Sequence, residues 1–226
     1  MGSNRRGGAT LPGPANQDTR MHQSSPASLS QTHCVARGSR AVAVGGVALA
    51  GVGGSAFLVI RGALTVDLGV GRRTRQLGPL NAEIMAEPEM AFDVVAEPYL
   101  GRTPRAMSDK LRVVERGSDM VIAEHYTPVL GGRSVSTTVE SVRFERPRLI
   151  HFRLLRGPVP LVTETFEFRP GKTAGTTDFE YRGELSTDLW SVGAWWGRVV
   201  ARRWEAAVSG SIESIRAEAE RRARAG

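Results

Sequence analysis

Chemically reactive residues are scarce in this sequence of 226 residues. It has one cysteine, Cys34, and four histidines, of which only His125 and His151 lie outside the first 40 residues. A lone cysteine excludes an internal disulfide framework and any site built from several cysteines. The two histidines have no carboxylate or cysteine partner at a metal-ligand spacing, and the chain has no Gly-x-Ser-x-Gly nucleophile turn. The sequence therefore predicts neither a metal nor a cofactor, and it indicates no catalytic residue.

Positive charge is concentrated at the N-terminal end of the chain. The formal net charge is +7, and residues 1–79 account for all of it with nine arginines against two acidic residues. Residues 80–226 carry 21 basic and 21 acidic residues. A domain that binds a phosphate backbone needs an uncompensated basic face. The even balance in residues 80–226 therefore argues against a nucleic-acid partner.

The first 79 residues divide into three segments of different composition. Residues 1–40 are rich in Gly, Ser, Pro, Gln and Thr, which predicts a disordered tail, and Met21 is an alternative start. Residues 41–60 are twenty positions without a charge, enough for a helix to cross the roughly 30 Å core of a bilayer. Residues 61–79 combine glycines with arginines and are predicted to form a basic linker.

Two interpretations of residues 41–60 remain open. A transmembrane anchor fits the length of the run, whereas a cleaved signal peptide also places a basic segment before an apolar one. The anchor is favoured because the run exceeds a usual signal core and more apolar residues follow the small residues 54–56. The positive-inside rule then predicts a single-pass protein of the cell membrane with a cytoplasmic C-terminal domain, because more arginines follow the run than precede it.

From residue 80 onward the sequence predicts an α+β domain. Residues 80–86 are typical of a strand, Pro88 to Ala96 of a helix opened by proline, and Pro98 to Met107 of a second short helix or turn. Short turns separate six further predicted strands, which favours an antiparallel meander: 111–116, 120–127, 134–145, 148–156, 161–169 and 176–185. A single helix is predicted from Thr187-Asp188, whose side chains are expected to cap it, to about Arg224.

Three segments resemble one protein superfamily. Ile84 to Val95 resembles its opening, Val142 to Ile150 its strand–Pro–strand turn, and Thr176 to Tyr181 its last strand. The superfamily is SRPBCC, also described as START-like or as polyketide cyclase/dehydrase and lipid transport proteins. The resemblance covers about residues 80–220. It implies a helix-grip fold, β-α-α-β6-α, in which a curved seven-stranded antiparallel sheet surrounds the long C-terminal helix and leaves a cavity for hydrophobic ligands.

Polar residues on the predicted inner face of the sheet are candidates for ligand contact. Strand alternation places Glu140 and Glu164 between apolar neighbours on that face. An unpaired carboxylate there would have a raised pKa and could donate a proton or orient a ligand. The alternative is that Arg156 or another cation pairs with them, or that they lie at a wet rim. The predicted ligand-binding residues are Glu140, Phe152, Leu154, Glu164, Phe166, Tyr181 and Trp196.

Three functions remain open at this stage. The leading one is a membrane-anchored domain that binds a hydrophobic small molecule or lipid in its cavity, as a carrier or sensor. The second is a polyketide-type cyclase or aromatase, in which the same cavity folds a reactive chain and an acidic group moves protons. The third is a domain whose cavity is filled by side chains and which serves only as a protein partner. The fold alone does not choose among them.

Overall fold

One antiparallel sheet of seven strands forms the framework of the computed structural model, which describes residues 53–101 and 109–225. The strands lie in the order β1-β7-β6-β5-β4-β3-β2. They are β1 (Arg73–Ile84), β2 (Leu111–Arg116), β3 (Met120–Val129), β4 (Ser134–Glu145), β5 (Leu149–Arg156), β6 (Leu161–Pro170) and β7 (Thr177–Thr187). Strands β2 to β7 follow one another through short connections, and β1 pairs with β7. The predicted meander and the helix-grip fold are confirmed.

Two helices accompany the sheet. Helix α1 (Pro88–Leu100) begins at the predicted proline but ends later than the predicted Ala96. The N–H of Gly101 donates a 2.8 Å hydrogen bond to the carbonyl of Glu97, which closes the last turn around Pro98. Of the predicted second segment, residues 98–100 therefore belong to α1, and residues 102–107 lie outside the described residues.

Helix α2 (Trp190–Ala225) is the predicted long C-terminal helix, 36 residues in length. It packs along β1 and β7 and against α1. Its N-terminus differs from the prediction, because Asp188 does not cap it. The Asp188 carboxylate instead accepts hydrogen bonds from the N–H groups of Leu68 and Gly69, at 2.6 and 2.8 Å. Gly193 is required by the tight corner, since a Cβ there would lie 1.6 Å from the carbonyl oxygen of Asp188.

Strand β1 extends into the segment that the sequence assigned to a linker. Residues 73–79 are part of β1, which pairs with β7 from Arg73 opposite Thr187 to Ile84 opposite Thr177. The register shifts between Leu77 and Leu80, where Gly78 and Pro79 stand. Glycine and proline suggested a linker, but an edge strand tolerates both at such an irregularity. The predicted linker 61–79 is therefore wrong in its C-terminal third.

The rest of that predicted linker lies against the domain. The carbonyl of Arg61 accepts a 2.9 Å hydrogen bond from the N–H of Thr137 at the start of β4. The Thr65 hydroxyl donates to the carbonyl of Gly157 at 2.8 Å and accepts from its N–H at 2.9 Å. We call residues 61–72 the strap, because these contacts, with those of Asp188, hold it across one end of the sheet.

The N-terminal predictions fall mostly outside the described part of the chain. The predicted tail, residues 1–40, and residues 41–52 of the predicted span are not among the described residues. Residues 53–60 are helical. Within the described ranges, no helix combines the length and the apolar character needed to cross a membrane.

The core lies between the inner face of the sheet and the two helices. The predicted alternation is confirmed over β4 to β6 and the first part of β7, where buried residues alternate with more exposed neighbours. One end of this core is fully buried, with the largest side chains contributed by Ile84, Phe92, Ile150, Phe168 and Phe179. Burial of each such side chain contributes roughly 1.5–3 kcal/mol.

Candidate functional site

Two carboxylates flank an apolar strand on the inner face of the sheet. Glu140 of β4 lies opposite Leu154 of β5, and Phe152 of β5 lies opposite Glu164 of β6. Adjacent strands are about 4.8 Å apart, so the backbones of β4 and β6 run about 10 Å apart on either side of β5. Both glutamates are buried, with exposures of 6% and 7%. We call these four residues the acidic–apolar row.

A strand irregularity adjoins the row. The register of β4 with β5 shifts between Val139, which faces Arg156, and Glu140, which faces Leu154. One extra residue of β5, Leu155, is therefore accommodated there, and its side chain is half exposed. Such bulges bend a strand and re-aim its side chains, and they are frequent near functional sites.

A histidine, not an arginine, pairs with Glu140. The Nδ1 atom of His125 lies 3.1 Å from Oε2 of Glu140, and Thr138 donates a 2.8 Å hydrogen bond to Oε1. Arg156, the cation considered from the sequence, instead has its Nη2 atom 3.9 Å from Oε1 of Glu124. His125 was missed because it stands opposite Thr138 and reaches Glu140 only diagonally, a relation that appears only once the register of β3 with β4 is known.

His125 also connects the row to helix α1. Its Nε2 atom is 2.9 Å from the hydroxyl of Tyr99, which is buried near the end of α1. The Nδ1 atom is buried and makes no aligned hydrogen bond, although the Glu140 carboxylate is close. Tyr99, His125, Glu140 and Thr138 therefore form a continuous polar chain in which one histidine nitrogen is held mainly by charge attraction.

Glu164 is held by neutral donors. Its Oε1 atom accepts hydrogen bonds from the Tyr181 hydroxyl at 2.8 Å and from the Trp204 indole at 2.7 Å. Among the described residues, no arginine, lysine or histidine forms an ion pair with Glu164, so the alternative of a cationic partner does not hold for this residue. Trp204 is a residue of the site that is absent from the predicted ligand-binding set.

Burial and mutual repulsion shift the protonation of these groups. Burial, and then the charge of Glu140, raise the pKa of Glu164 to about 7, although the hydrogen bonds from Trp204 and Tyr181 oppose the shift. Burial disfavours charge on His125, but the Glu140 carboxylate outweighs it and raises the pKa of His125. Burial likewise opposes ionisation of Glu140, and His125 and Thr138 overcome it and lower the pKa of Glu140. The site therefore combines an ion pair with a carboxyl group poised to exchange a proton near neutral pH.

Aromatic rings form the apolar part of the site. The rings of Phe152 and Phe166 are 4.9 Å apart, and Tyr99 lies 6.1 Å from Phe152. Phe152 and Phe166 are each 7% exposed and Leu154 is 4% exposed, whereas Tyr181 is fully buried. Tyr181 therefore supports the site from behind, with its ring against Phe166 at 5.8 Å and its hydroxyl on Glu164.

Six of the seven predicted ligand-binding residues lie together on this inner face: Glu140, Phe152, Leu154, Glu164, Phe166 and Tyr181. The seventh, Trp196, is half buried on α2, and its indole donates a 2.8 Å hydrogen bond to the carbonyl of Pro158 in the turn after β5. Trp196 therefore lies at one end of the face. That any of the seven contacts a ligand stays a prediction. No cluster of three or more metal-ligating side chains occurs in the described ranges.

The chain is similar to known proteins over its folded domain. The family described as polyketide cyclase / dehydrase and lipid transport matches residues 80–220. The ZhuI aromatase/cyclase from Streptomyces sp. R1128 shares 15% identity with a TM-score of 0.54, over 67% of this chain and 95% of that one. The di-domain aromatase/cyclase StfQ from the steffimycin biosynthetic pathway shares 18% identity with a TM-score of 0.53, over 67% of this chain and 52% of that one. No curated protein sequence gives a significant match.

Proposed function

The chain belongs to the polyketide cyclase/dehydrase and lipid transport family. We propose that its domain binds a hydrophobic small molecule or lipid on the inner face of the sheet. The observation that carries the proposal is the acidic–apolar row. Burial of a carboxylate destabilises a protein unless a cation or hydrogen-bond donors compensate for the lost hydration. Glu164 has no cationic partner among the described residues. A polar group of a bound ligand would supply a hydrogen-bond partner for this carboxyl group.

Apolar burial would supply most of the binding free energy. The aromatic wall of Phe152 and Phe166, continued by Leu154, offers apolar surface at about 25 cal/mol per Å² covered. These side chains keep a small residual exposure, in contrast to the fully buried Ile150 and Phe168 at the other end of the core. The proposed site therefore lies toward β4 and β5, beside Tyr99.

The two carboxylates would select ligands that carry oxygen atoms. A protonated Glu164 donates a hydrogen bond from its second oxygen, while Tyr181 and Trp204 occupy the first. The Tyr99–His125 pair offers a second polar contact on the other side of Phe152. An elongated or polycyclic apolar molecule with an oxygen function near each end fits this arrangement.

Mass spectrometry tests the proposal directly. The full-length protein, extracted from its host membranes in mild detergent, is examined by native mass spectrometry and by organic-solvent extraction. We expect a co-purified apolar molecule that is reduced in Glu164→Gln. The matched control Glu167→Gln, on the outward face of the same strand, should retain it. A protein that carries no molecule and takes up no apolar probe would instead support a role as a protein partner only.

An enzymatic cyclase function is the second candidate, and the raised pKa of Glu164 favours it. A carboxyl group with a pKa of about 7 is able to donate and accept protons at neutral pH, as general acid–base catalysis requires. The test supplies a linear poly-β-ketone chain made in situ by a polyketide synthase. A cyclase alters the distribution of cyclised products, and Glu164→Gln abolishes that change while ligand binding persists. A carrier leaves the distribution unaltered in both forms.

We also propose that residues 41–60 anchor the chain in the cell membrane, with the domain in the cytoplasm. The support is the absence of charge over twenty residues and the arginines that follow. Resistance of the full chain to alkaline extraction from membranes, with an intact N-terminus by sequencing, is the expected result. A mature N-terminus after residue 54 would reveal a cleaved signal peptide. Protection of the domain from added protease in intact cells tests the orientation.

A further inference from the structure

Six large apolar side chains are exposed around the start of helix α2. They come from two adjacent segments, the end of the strap and the first turns of α2: Leu68 (59% exposed), Val70 (46%), Leu189 (39%), Trp190 (55%), Val192 (66%) and Trp195 (57%). Single exposed apolar residues are ordinary, whereas a contiguous group of this size marks an interaction surface. We call these six residues the apolar patch.

Hydrogen bonds hold the backbone of the apolar patch in place. The N–H of Leu189 donates to the carbonyl of Val70 at 2.8 Å, and the N–H of Trp190 donates to the carbonyl of Gly71 at 3.0 Å. Leu189 and Trp190 adopt positive φ angles of 71° and 46°. Non-glycine residues occupy this region at an energetic cost, and such residues cluster at functional sites. The patch is thus fixed in an exposed position without the gain of burial.

A basic pocket adjoins the apolar patch. It has a volume of about 250 Å³ between β1 and α2, and it is lined by Arg73, Thr74, Arg75, Thr187, Ala194, Gly197 and Arg198. The pleat of β1 puts Arg73 and Arg75 on the same side as the buried Leu77, toward α2. The small side chains at positions 194 and 197 leave the space open.

The three arginines of the pocket carry uncompensated charge. None of Arg73, Arg75 and Arg198 forms an ion pair with any residue that the structure describes. Two nearby carboxylates, Asp67 and Asp188, both pair with Arg72. Glu184 accepts a hydrogen bond from Gln76 on the outward side of β1. Three cations therefore face one small pocket beside a group of exposed tryptophans.

We propose that the apolar patch and the basic pocket together dock the domain on an anionic lipid bilayer. Tryptophan is favoured at the level of lipid headgroups, where its ring is apolar and its N–H is polar. Arginine binds phosphate oxygens through two parallel N–H groups, and a lipid phosphate fits a pocket lined by three of them. The uncharged residues 41–60 end eight residues before Leu68, so this surface follows closely on the most apolar part of the chain.

Charge distinguishes the bilayer from a second copy of the chain. In a two-fold dimer through the apolar patch, the same arginines of both copies would approach one another. An anionic membrane, in contrast, supplies negative charge opposite Arg73, Arg75 and Arg198.

The test uses the full-length protein and vesicles of brominated phosphatidylcholine, with or without phosphatidylserine. All four tryptophans lie in α2, and two of them, Trp190 and Trp195, belong to the apolar patch. Quenching of these two reports on the apolar patch even if residues 41–60 insert independently. The triple variant carries Arg73→Gln, Arg75→Gln and Arg198→Gln. Each substitution should lower the affinity for anionic vesicles about fivefold, so half-maximal quenching should need about 100-fold more anionic lipid. Trp190→Phe with Trp195→Phe should remove most of the quenching.

A matched control carries the same change of net charge elsewhere. Arg133→Gln, Arg153→Gln and Lys172→Gln remove three exposed charges that also lack ion pairs among the described residues, and quenching should stay at the wild-type level. Equal quenching in both triple variants, or quenching that does not require phosphatidylserine, would overturn the proposal. So would a dimer that dissociates in Trp190→Ala with Trp195→Ala and shows no quenching by lipid. Uptake of an apolar probe by the inner face should persist in the arginine variant. The membrane surface and the proposed ligand site are therefore tested independently of each other.

Discussion

The indole of Trp204 donates a 2.7 Å hydrogen bond to the carboxylate of Glu164 and so joins helix α2 to strand β6 across the inner face of the sheet. This contact does two things at once. It fixes the long helix against the concave side of the fold, and it stabilises the charged form of a buried acid. Stability and protonation at the site are therefore coupled through one side chain.

Replacement of Trp204 by phenylalanine should expose that coupling. Loss of the indole N–H removes a hydrogen bond to the ionised carboxylate, so the pKa of Glu164 should rise further above about 7. The unfolding free energy should fall by about 1–3 kcal/mol. Carbon-13 NMR titration of the carboxyl group and urea unfolding measure the two effects. Trp195→Phe, on an exposed side chain of the same helix, should change neither.

Glu164 should also give the stability of the domain a pH dependence. Its pKa is raised in the folded state from 4.5 to about 7, so between these values the native state binds more protons than the unfolded state. Stability then decreases as pH rises through this window, by about 3 kcal/mol for this group. Urea unfolding across the window should show a smaller decrease in Glu164→Gln than in the wild type. Parallel curves for the two proteins would contradict the raised pKa.

The His125–Glu140 pair should behave as a coupled unit. Glu140→Gln removes the negative charge that stabilises protonated His125, while burial still disfavours that protonated form. The pKa of the imidazole should therefore fall below its value in the wild type. Histidine NMR titration measures the fall, with Glu145→Gln as the control. In a double-mutant cycle with His125→Gln, the coupling free energy should be about 0.5–3 kcal/mol. Additive effects would show that the pair contributes nothing beyond its separate members.

Asp188 should hold the strap against the domain. Its carboxylate binds Arg72 and the N–H groups of Leu68 and Gly69. Asp188→Ala leaves these donors without their acceptor and should cost about 1–3 kcal/mol of stability. Hydrogen exchange at residues 68–71 should accelerate. Asp67→Ala, which removes the exposed partner of Arg72, should leave that exchange nearly unchanged.

The sequence was most informative where its pattern is local. Alternation along β6 correctly predicted that Glu164 lies between apolar neighbours on the inner face, because a period of two residues depends only on the strand itself. The turns between strands were equally local. The strand order then followed from short connections, which leave adjacent antiparallel strands few alternatives.

The missed features depend on contacts between distant segments. The approach of His125 to Glu140 depends on the register of β3 with β4, and the hydrogen bond from Trp204 to Glu164 depends on the rotation of α2 over the sheet. The docking of Thr65 on Gly157 joins residues 92 positions apart. Glycine and arginine content in the strap gave no signal of that contact, since the same composition occurs in a free linker.

Binding of an apolar fluorescent probe, such as N-phenylnaphthylamine, to two matched variants tests the proposed ligand site most directly. Leu154 is 4% exposed on the inner face, and the next residue, Leu155, is 50% exposed and faces outward. Leu154→Trp should cover the proposed ligand site with an indole ring and abolish saturable binding of the probe, while Leu155→Trp should bind it as the wild type does. Circular dichroism verifies that both variants are folded. Equal binding by two folded variants, or no saturable binding by the wild type, would contradict a hydrophobic ligand site on this face.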